Sequence, residues 1–154
     1  MTQNERKLLN QIKKLSIDPI WNCLTRSALQ IRWTELTQDA TGLIYIDVDK
    51  MHDLNEKYTH AGVDKKIKTV LKNIRQNDII SSRWLNGDEI TLILKSGNPA
   101  EFSLRLIQEF KNVGIGITCA YTHEIKKSPE KTINPLDKKV QISKNNNVRG
   151  ILVK

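Results

Sequence analysis

Apolar residues recur along the chain at the two spacings that mark helices and buried strands. Over residues 5–15 the leucine and isoleucine side chains fall on one stripe, which predicts a short amphipathic helix that Asp18-Pro19 ends. Residues 43–46 form a continuous apolar run rich in β-forming side chains, which predicts a buried strand. The same reasoning predicts further helices over 24–36, 51–58, 64–74, 99–110 and 136–144, strands over 79–85, 90–94, 115–121 and 150–153, and a lysine-rich loop over 123–135.

The order of these elements predicts an α/β (α+β) fold of the ferredoxin-like or palm type. Asn86-Gly87 lies between the strands over 79–85 and 90–94, and both residue types tolerate the positive φ of a hairpin turn. A hairpin between two helix-bearing crossovers is typical of the palm, and the right-handed crossover rule places the strand over 43–46 beside it. We expect a mostly antiparallel sheet, an N-terminal amphipathic helix over 1–17, a palm domain over 18–154, and both N-terminal helices packed on the sheet.

Length and composition limit the possible classes of protein. The 154 residues, 38% of them apolar, suit one domain with a real core and exclude a wholly disordered chain. No apolar run approaches the roughly 18 residues that span a bilayer, and the charged N-terminus is unlike a secretory signal, so we expect no membrane partner. Cys23 and Cys119 lack metal or redox spacing, which favours buried, reduced thiols in a cytoplasmic protein.

The basic charge is concentrated in the late part of the chain. The net charge is +8; residues 1–110 carry 16 basic and 14 acidic side chains, whereas residues 111–154 carry 9 basic and 3 acidic ones. Such an uneven excess favours a phosphate-bearing partner. The alternative is a solvated lysine-rich surface, which keeps small proteins soluble.

Two acidic motifs flank strands that are neighbours in a palm sheet. Asp47-Val48-Asp49 follows the strand over 43–46, and Asp88-Glu89 follows the hairpin turn. Carboxylates that converge at one edge of a sheet bind Mg²⁺ (or Mn²⁺), which also takes oxygens from a substrate phosphate. Together the motifs predict a nucleotidyl-transfer site. Taken singly, each has another interpretation, because aspartate after a strand caps helices and a polar pair is ordinary in a turn.

Five segments of the chain resemble the motifs of one family. Residues 86–90, with the sequence NGDEI, resemble the GGDEF signature of diguanylate cyclases. Residues 47–56 (DVDKMHDLNE) resemble that family's DxDxFKxxND motif, and residues 58–64 (YTHAGVD) are similar to its YGHxxGD motif. Residues 18–26 (DPIWNCLTR) have the length of DPLTGLxNR, and Asp137 and Lys144 match the helix ADxALYxAK. The segments follow the family's order over nearly the whole chain, so the resemblance implies the GGDEF-type cyclase fold.

The resemblance also implies a role for individual residues. The catalytic carboxylates that it implies are Asp47, Asp88 and Glu89. Asp47 and Asp88 would bind the metal together with the Val48 carbonyl group, and Glu89 would assist with the hydroxyl proton. The substrate contacts that it implies are Asn55 and Asp64 at the base, Gly87 at the turn that approaches the nucleotide, and Lys144 and Arg149 at the phosphates.

Some positions depart from the family's pattern. His52 stands in place of a phosphate-binding lysine. Val148 stands in place of an arginine, and Arg149, one position later, is the residue that could substitute for it. Asn86 replaces the first glycine of the signature, and asparagine tolerates a left-handed backbone. Residues 75–78 fit the RxxD pattern of the family's inhibitory site, but a longer segment before the signature displaces them, so we expect no product inhibition there.

The chain is also similar to minimal CRISPR polymerases, which share the palm fold and the placement of the acidic motifs. Two short helices lie before its palm, so we expect no sensor domain, which favours this branch and a role in antiphage signalling. Residues 18–26 favour ordinary diguanylate cyclases instead.

We expect the protein to condense two nucleoside triphosphates, ATP or GTP, into a cyclic dinucleotide with Mg²⁺ bound. Because one palm site holds one nucleotide, two copies must face each other in a homodimer or larger assembly. One alternative is an ordinary diguanylate cyclase that makes c-di-GMP from GTP, and another is an inactive module that binds nucleotide or cyclic dinucleotide. A nucleic-acid-binding protein is disfavoured, because the chain lacks the aromatic motif of RNA-binding sheets.

Overall fold

A six-stranded mixed sheet forms the centre of the described residues, which are 1–74, 79–85 and 87–154 of a computed structural model. Its strands are β1 (Ile17–Asp18), β2 (Cys23–Leu24), β3 (Gly42–Val48), β4 (Ile79–Arg83), β5 (Glu89–Leu94) and β6 (Ile117–Thr122). They lie in the order β1-β2-β4-β5-β3-β6, and all neighbours are antiparallel except β2 and β4. The predicted α+β sheet is confirmed, and β3 lies beside the hairpin strand β5, as the crossover rule requires.

Helices surround the sheet, and several begin at side chains that bind free backbone N–H groups. The helices among the described residues are α1 (Gln3–Leu15), α2 (Arg26–Ile31), α3 (Trp33–Leu36), α4 (Met51–Ile74), α5 (Pro99–Asn112) and α6 (Pro129–Asn145). The Asn98 side chain accepts from two N–H groups at the start of α5, and the Ser128 hydroxyl accepts from the Lys131 N–H at the start of α6. Proline opens both helices, because its missing N–H is not needed there.

Both faces of the sheet are buried, as β3 illustrates. Successive side chains of a strand point to opposite faces. Ile44 and Ile46 join the core beneath α4 and α5, whereas Leu43 and Tyr45 join the core beneath α2, α3 and α6. Because each face needs apolar side chains, the strand has the continuous apolar sequence from which it was predicted.

The first part of the predicted helix over 24–36 belongs to the sheet instead. Residues 23–24 form β2, in which Leu24 pairs with Ser82 of β4. The remaining residues form two short helices, because Arg32 has φ −101° and ψ 14°, outside the helical region. A two-residue strand is too short to show a periodicity of its own, so Leu24 was assigned to the helix that the apolar residues after it predict.

The region after β6 also differs from the prediction. Helix α6 begins at Pro129, inside the stretch predicted as a loop, because Ser128 caps it. The strand predicted over 150–153 consists of a single bridge, between Leu152 and Cys119. Cys23 and Cys119 are both buried, as predicted.

The two helices predicted over 51–58 and 64–74 are both present, and they meet at a break within one helical element. Helix α4 is continuous except at Thr59, which has φ 67° and ψ 161°. The predicted separation is therefore confirmed at this residue. Residues 75–78, which fit the RxxD pattern, and the turn residue Asn86 lie outside the described residues, so the expectations for them stay predictions.

Helix α1 does not pack on the sheet. None of its residues is buried, and its apolar stripe includes Leu8, 57% exposed, and Leu15, 79% exposed. It forms through local bonds, since Thr2 and Glu5 make a reciprocal capping box at its start. The prediction that both N-terminal helices pack on the sheet is wrong for α1, whereas α2 buries Leu29 completely. Among the described residues no helix has the length and apolarity needed to cross a membrane.

Candidate active site

The strand register brings the two acidic motifs side by side. Asp47, near the end of β3, is paired with Glu89, the first residue of β5. The Val48 N–H donates to the carbonyl oxygen of Asp88 at 2.9 Å. The motifs therefore meet at one edge of the sheet, as expected from neighbouring strands.

A polar cleft of about 460 Å³ opens at this edge. Its walls come from the β3 end, the β5 start, α6 and the segment after α6. The predicted site residues that line it are Asp47, Val48, Asp88, Glu89, Lys144 and Arg149. Its other members include Lys50 and Gln141, which were not predicted, and Asp137, which matches a motif but had no predicted role.

The Lys144 ammonium group lies among three oxygen atoms of the β3 end. Its Nζ is 3.2 Å from Asp47 Oδ1, 3.3 Å from Asp49 Oδ1 and 3.2 Å from the Val48 carbonyl oxygen. The lysine side chain is only 12% exposed, so these contacts are shielded from solvent. In this structure Lys144 thus binds carboxylates, rather than projecting freely into the cleft.

The second oxygen of Asp47 is bound by a side chain of α6. Gln141 Nε2 donates to Asp47 Oδ2 at 2.7 Å and to Asp137 Oδ1 at 3.2 Å. Tyr45 donates its hydroxyl proton to the same Asp137 oxygen at 2.7 Å. Burial raises the pKa of Tyr45, and the Asp137 bond raises it further, so the phenol stays protonated and remains a donor.

Asp47 is held as a buried carboxylate. It is 6% exposed, and this burial raises its pKa above the ordinary value. The Lys144 charge and the Gln141 bond oppose the rise, whereas the nearby Asp88 charge adds to it. A carboxylate with few waters and a neighbouring negative charge gains from any cation that reaches it.

Asp49 connects the cleft to the segment after α6. Its Oδ1 accepts from the Thr118 hydroxyl at 2.7 Å, and its Oδ2 accepts from the Gly150 N–H at 3.0 Å. A Cβ on Gly116 would come within 3.1 Å of Asp49 Oδ2, so glycine leaves room for this carboxylate. These bonds hold Gly150, and with it the preceding Arg149, at the cleft.

Three predicted substrate contacts lie outside the lining of the cleft. Asn55 is a half-buried residue of α4. Asp64 accepts a hydrogen bond from the buried Trp21 indole N–H at 2.9 Å. Gly87 has φ 95°, which confirms a glycine requirement in the turn, and its carbonyl oxygen accepts from Arg83 Nη2 at 3.3 Å.

Gln141 and Trp21 were not predicted from the sequence as members of the site. Asp137, Gln141 and Lys144 are spaced by four and three residues, which places them on one face of a helix and could have identified the amide. No comparable signal points to Trp21, because its partner Asp64 is 43 residues away. The Arg83 guanidinium stacks on the Trp21 ring at 3.5 Å and also pairs with Asp18 at 2.5 Å.

The donor atoms of the cleft suit a divalent cation. Within the described ranges, no three His, Cys, Asp or Glu side chains are arranged as a ready set of metal ligands. Two carboxylate oxygens and one carbonyl oxygen nevertheless converge on a single point, which the Lys144 ammonium occupies. Mg²⁺ prefers oxygen donors of this kind and keeps several waters. The oxygens of Asp47, Val48 and Asp49 therefore fit the ion, and the Asp88 carboxylate lines the same cleft.

No family model and no curated protein matches the chain. Solved structures do match it. The coiled coil and GGDEF domain of DgcB from Caulobacter crescentus, in complex with c-di-GMP, has a TM-score of 0.72 at 15% identity, over 98% of this chain and 92% of that one. A diguanylate cyclase/phosphodiesterase from Caldicellulosiruptor saccharolyticus has a TM-score of 0.70 at 19% identity, over 90% and 93%.

A third structure, a microbial GGDEF domain studied with cyclic di-GMP, has a TM-score of 0.70 at 17% identity. It covers 90% of this chain and 98% of that one. At these identities the likeness establishes the fold. The chain has the fold of GGDEF domains, which confirms the fold predicted from its motifs.

Proposed function

We propose that the protein is a nucleotidyltransferase that condenses two nucleoside triphosphates into a cyclic dinucleotide. The observation that carries this proposal is the pairing of Asp47 with Glu89 on adjacent strands, in a polar cleft that also holds Lys144. Two of the similar GGDEF structures were determined with c-di-GMP, which is such a product.

The residues of the cleft divide the work of the reaction. A ribose hydroxyl of one nucleotide forms a bond to the α-phosphorus of the other, the bond from that phosphorus to the bridging oxygen breaks, and pyrophosphate leaves. The same step in the opposite direction closes the ring and releases a second pyrophosphate. Glu89 lies at the β5 start, where it can accept the hydroxyl proton. Lys50, Lys144 and Arg149 supply positive charge for the triphosphate. Mg²⁺ bound by Asp47, Asp88 and the Val48 carbonyl group would lower the hydroxyl pKa and neutralise phosphate charge.

A homodimer is part of the proposal, because one cleft holds one of the two nucleotides. Helix α1 offers a contact surface, since its stripe of Leu8, Leu9, Ile12 and Leu15 is exposed. The similar DgcB structure includes a coiled coil next to its GGDEF domain. Replacing Leu9 and Ile12 by aspartate should lower the dimer fraction in analytical ultracentrifugation and leave the far-ultraviolet circular dichroism of the sheet unchanged. An unchanged dimer fraction would reject α1 as the contact.

The finer role that we propose is that of a minimal CRISPR polymerase-like enzyme in antiphage signalling, with ATP or GTP as substrate. The ordinary c-di-GMP synthase is the alternative within the same chemistry. A receptor without turnover is a second candidate, because His52 pairs with Glu56 at 3.1 Å on an exposed surface and does not line the cleft.

The decisive experiment incubates the purified protein with each nucleoside triphosphate and Mg²⁺ or Mn²⁺ and identifies products by mass spectrometry. We expect a cyclic dinucleotide from the wild type, none from Asp88→Ala, and full yield from Asp53→Ala, a matched change at an exposed aspartate of α4. No cyclic product under any combination, together with calorimetric binding of a cyclic dinucleotide, would establish the receptor instead.

A further inference from the structure

We propose that Lys144 is a resident cation that occupies the divalent-metal position in the metal-free protein and is displaced toward the phosphates when metal binds. This inference rests on the proposed function, and it adds a conformational step to the cleft. Its starting point is the position of the ammonium group, which is 3.2–3.3 Å from three oxygens of the β3 end.

The point on which the three oxygens converge can hold only one cation at a time. Asp47 Oδ1 and the Val48 carbonyl oxygen are the atoms assigned to the metal, and both contact Lys144 Nζ. A divalent ion placed between them would meet a full positive charge within ordinary contact distance, and two like charges repel strongly in a shielded site. Metal binding at this point and the present position of Lys144 therefore exclude each other.

Burial explains why a cation must be present even without metal. Asp47 is 6% and Asp49 is 8% exposed, and buried carboxylates without a partner are costly. Gln141, Thr118 and Gly150 donate hydrogen bonds to these carboxylates but bring no charge. Lys144 is the cation that contacts them among the described residues, so it neutralises the cleft until a metal replaces it.

Displacement leaves Lys144 close to where the phosphates must lie. The side chain is long and flexible, and its cleft also contains Lys50 and Arg149. A triphosphate supplies new oxygens for the ammonium as the metal takes the old ones. The same lysine thus stabilises the empty cleft and later contacts the substrate, which makes substrate contact dependent on metal.

The first test measures Mn²⁺ affinity by electron paramagnetic resonance without nucleotide. Lys144→Met should bind Mn²⁺ about tenfold more tightly than the wild type, because the competing cation is gone. Arg149→Met is the matched control, since it removes an equal charge from the same cleft without touching the carboxylates. Its affinity should rise much less. Equal rises in both variants, or no rise in Lys144→Met, would overturn the proposal.

The second test uses stability and a measurement on the wild type alone. Without metal, Lys144→Met should melt below the wild type, and millimolar Mg²⁺ should close the gap; an unchanged gap would indicate a static ion pair and contradict displacement. Should that variant fail to fold, amine labelling of the wild type followed by mass spectrometry still decides. Lys144 should react faster with Mg²⁺ than with EDTA, while the exposed Lys138 does not change. Equal Lys144 rates would overturn the proposal.

The outcomes separate this inference from the proposed function. Cyclic product from the wild type, combined with equal Mn²⁺ affinity in wild type and Lys144→Met, rejects displacement and leaves the enzyme assignment intact. Absence of Mn²⁺ binding in every form, with and without nucleotide, rejects both.

Discussion

The hydrogen bond from Gln141 to Asp47 allows a sharp test of how the cleft is built. Gln141→Leu removes the amide that donates to Asp47 Oδ2 at 2.7 Å and to Asp137 Oδ1 at 3.2 Å, and keeps a similar volume. Asp47 is 6% exposed, so the lost donor cannot be replaced freely by water. The variant should therefore lose both stability and activity.

The magnitude follows from the kind of bond. A hydrogen bond to a charged group contributes about 1.5–3 kcal/mol to the free energy of unfolding. For a chain of this size, each kcal/mol shifts the melting temperature by about 2–4 °C, so we expect a decrease of about 3–12 °C. Turnover should decrease by about 10–100-fold, because the carboxylate is no longer fixed in one orientation.

Gln108→Leu is the matched control. Gln108 also donates at 2.7 Å, but its partner is the neutral Asn112 on the exposed surface of α5. Its loss should change the free energy of unfolding by less than about 0.5 kcal/mol. Chemical denaturation and product formation should be measured for both variants under the same conditions. If Gln141→Leu is no less stable than Gln108→Leu, the reasoning from a buried, charged acceptor is refuted.

Three further predictions concern Asp47, Cys119 and Gly42. Burial raises the pKa of Asp47, so the stability that its protonated form contributes is complete below the unfolded pKa and is lost as the pH rises. Asp47→Asn should therefore abolish turnover while, without metal, the free energy of unfolding at neutral pH stays equal or rises. A large decrease in that free energy would contradict this prediction. Burial raises the pKa of Cys119 to about 12, so the stability that the protonated thiol contributes is complete below pH 9 and decreases as the pH approaches 12. At pH 8, iodoacetamide should label Cys119 at least about 100-fold more slowly in the folded protein than in urea, as measured by mass spectrometry. Gly42→Ala should lower the free energy of unfolding in urea titrations by about 1–3 kcal/mol, because its Cβ would lie 2.8 Å from Pro99 Cγ and 2.9 Å from the Thr122 carbonyl oxygen; wild-type stability would show that the backbone adjusts freely.

The parts of the fold that depend on local spacing could be predicted from the sequence. The continuous apolar run of β3 and the Asn-Gly hairpin signal predicted two adjacent strands, and the adjacency brings Asp47 beside Glu89. Short elements could not be predicted in this way. Strand β2 has two residues, and its pairing with β4 depends on a residue 58 positions later, Ser82 opposite Leu24.

The carboxylates of the candidate site could be predicted from the sequence, but the contacts that hold them could not. Motif spacing identified Asp47, Asp88 and Lys144, because each lies in a segment that resembles a known motif. The pairing of Lys144 with the carboxylates depends on how α6 packs against the β3 end, and residue spacing carries no information about that distance. The amphipathic pattern of α1 predicts that its apolar face is covered, but it does not say what covers that face, which is exposed in the structure.

The contacts at the cleft also impose an order on its assembly during synthesis. Asp47 and Asp49 are translated early, whereas the groups that bind them follow much later: Thr118 comes 69 residues after Asp49, and Gln141, Lys144 and Gly150 come 94 to 101 residues after their partners. A nascent chain on the ribosome therefore carries these carboxylates for several seconds before their partners emerge, at about 5–20 residues per second. During that interval β3 can pair with β5, but the carboxylates that would bind metal stay solvated. The proposed cleft is therefore complete only after α6 and the segment that follows it have left the ribosome.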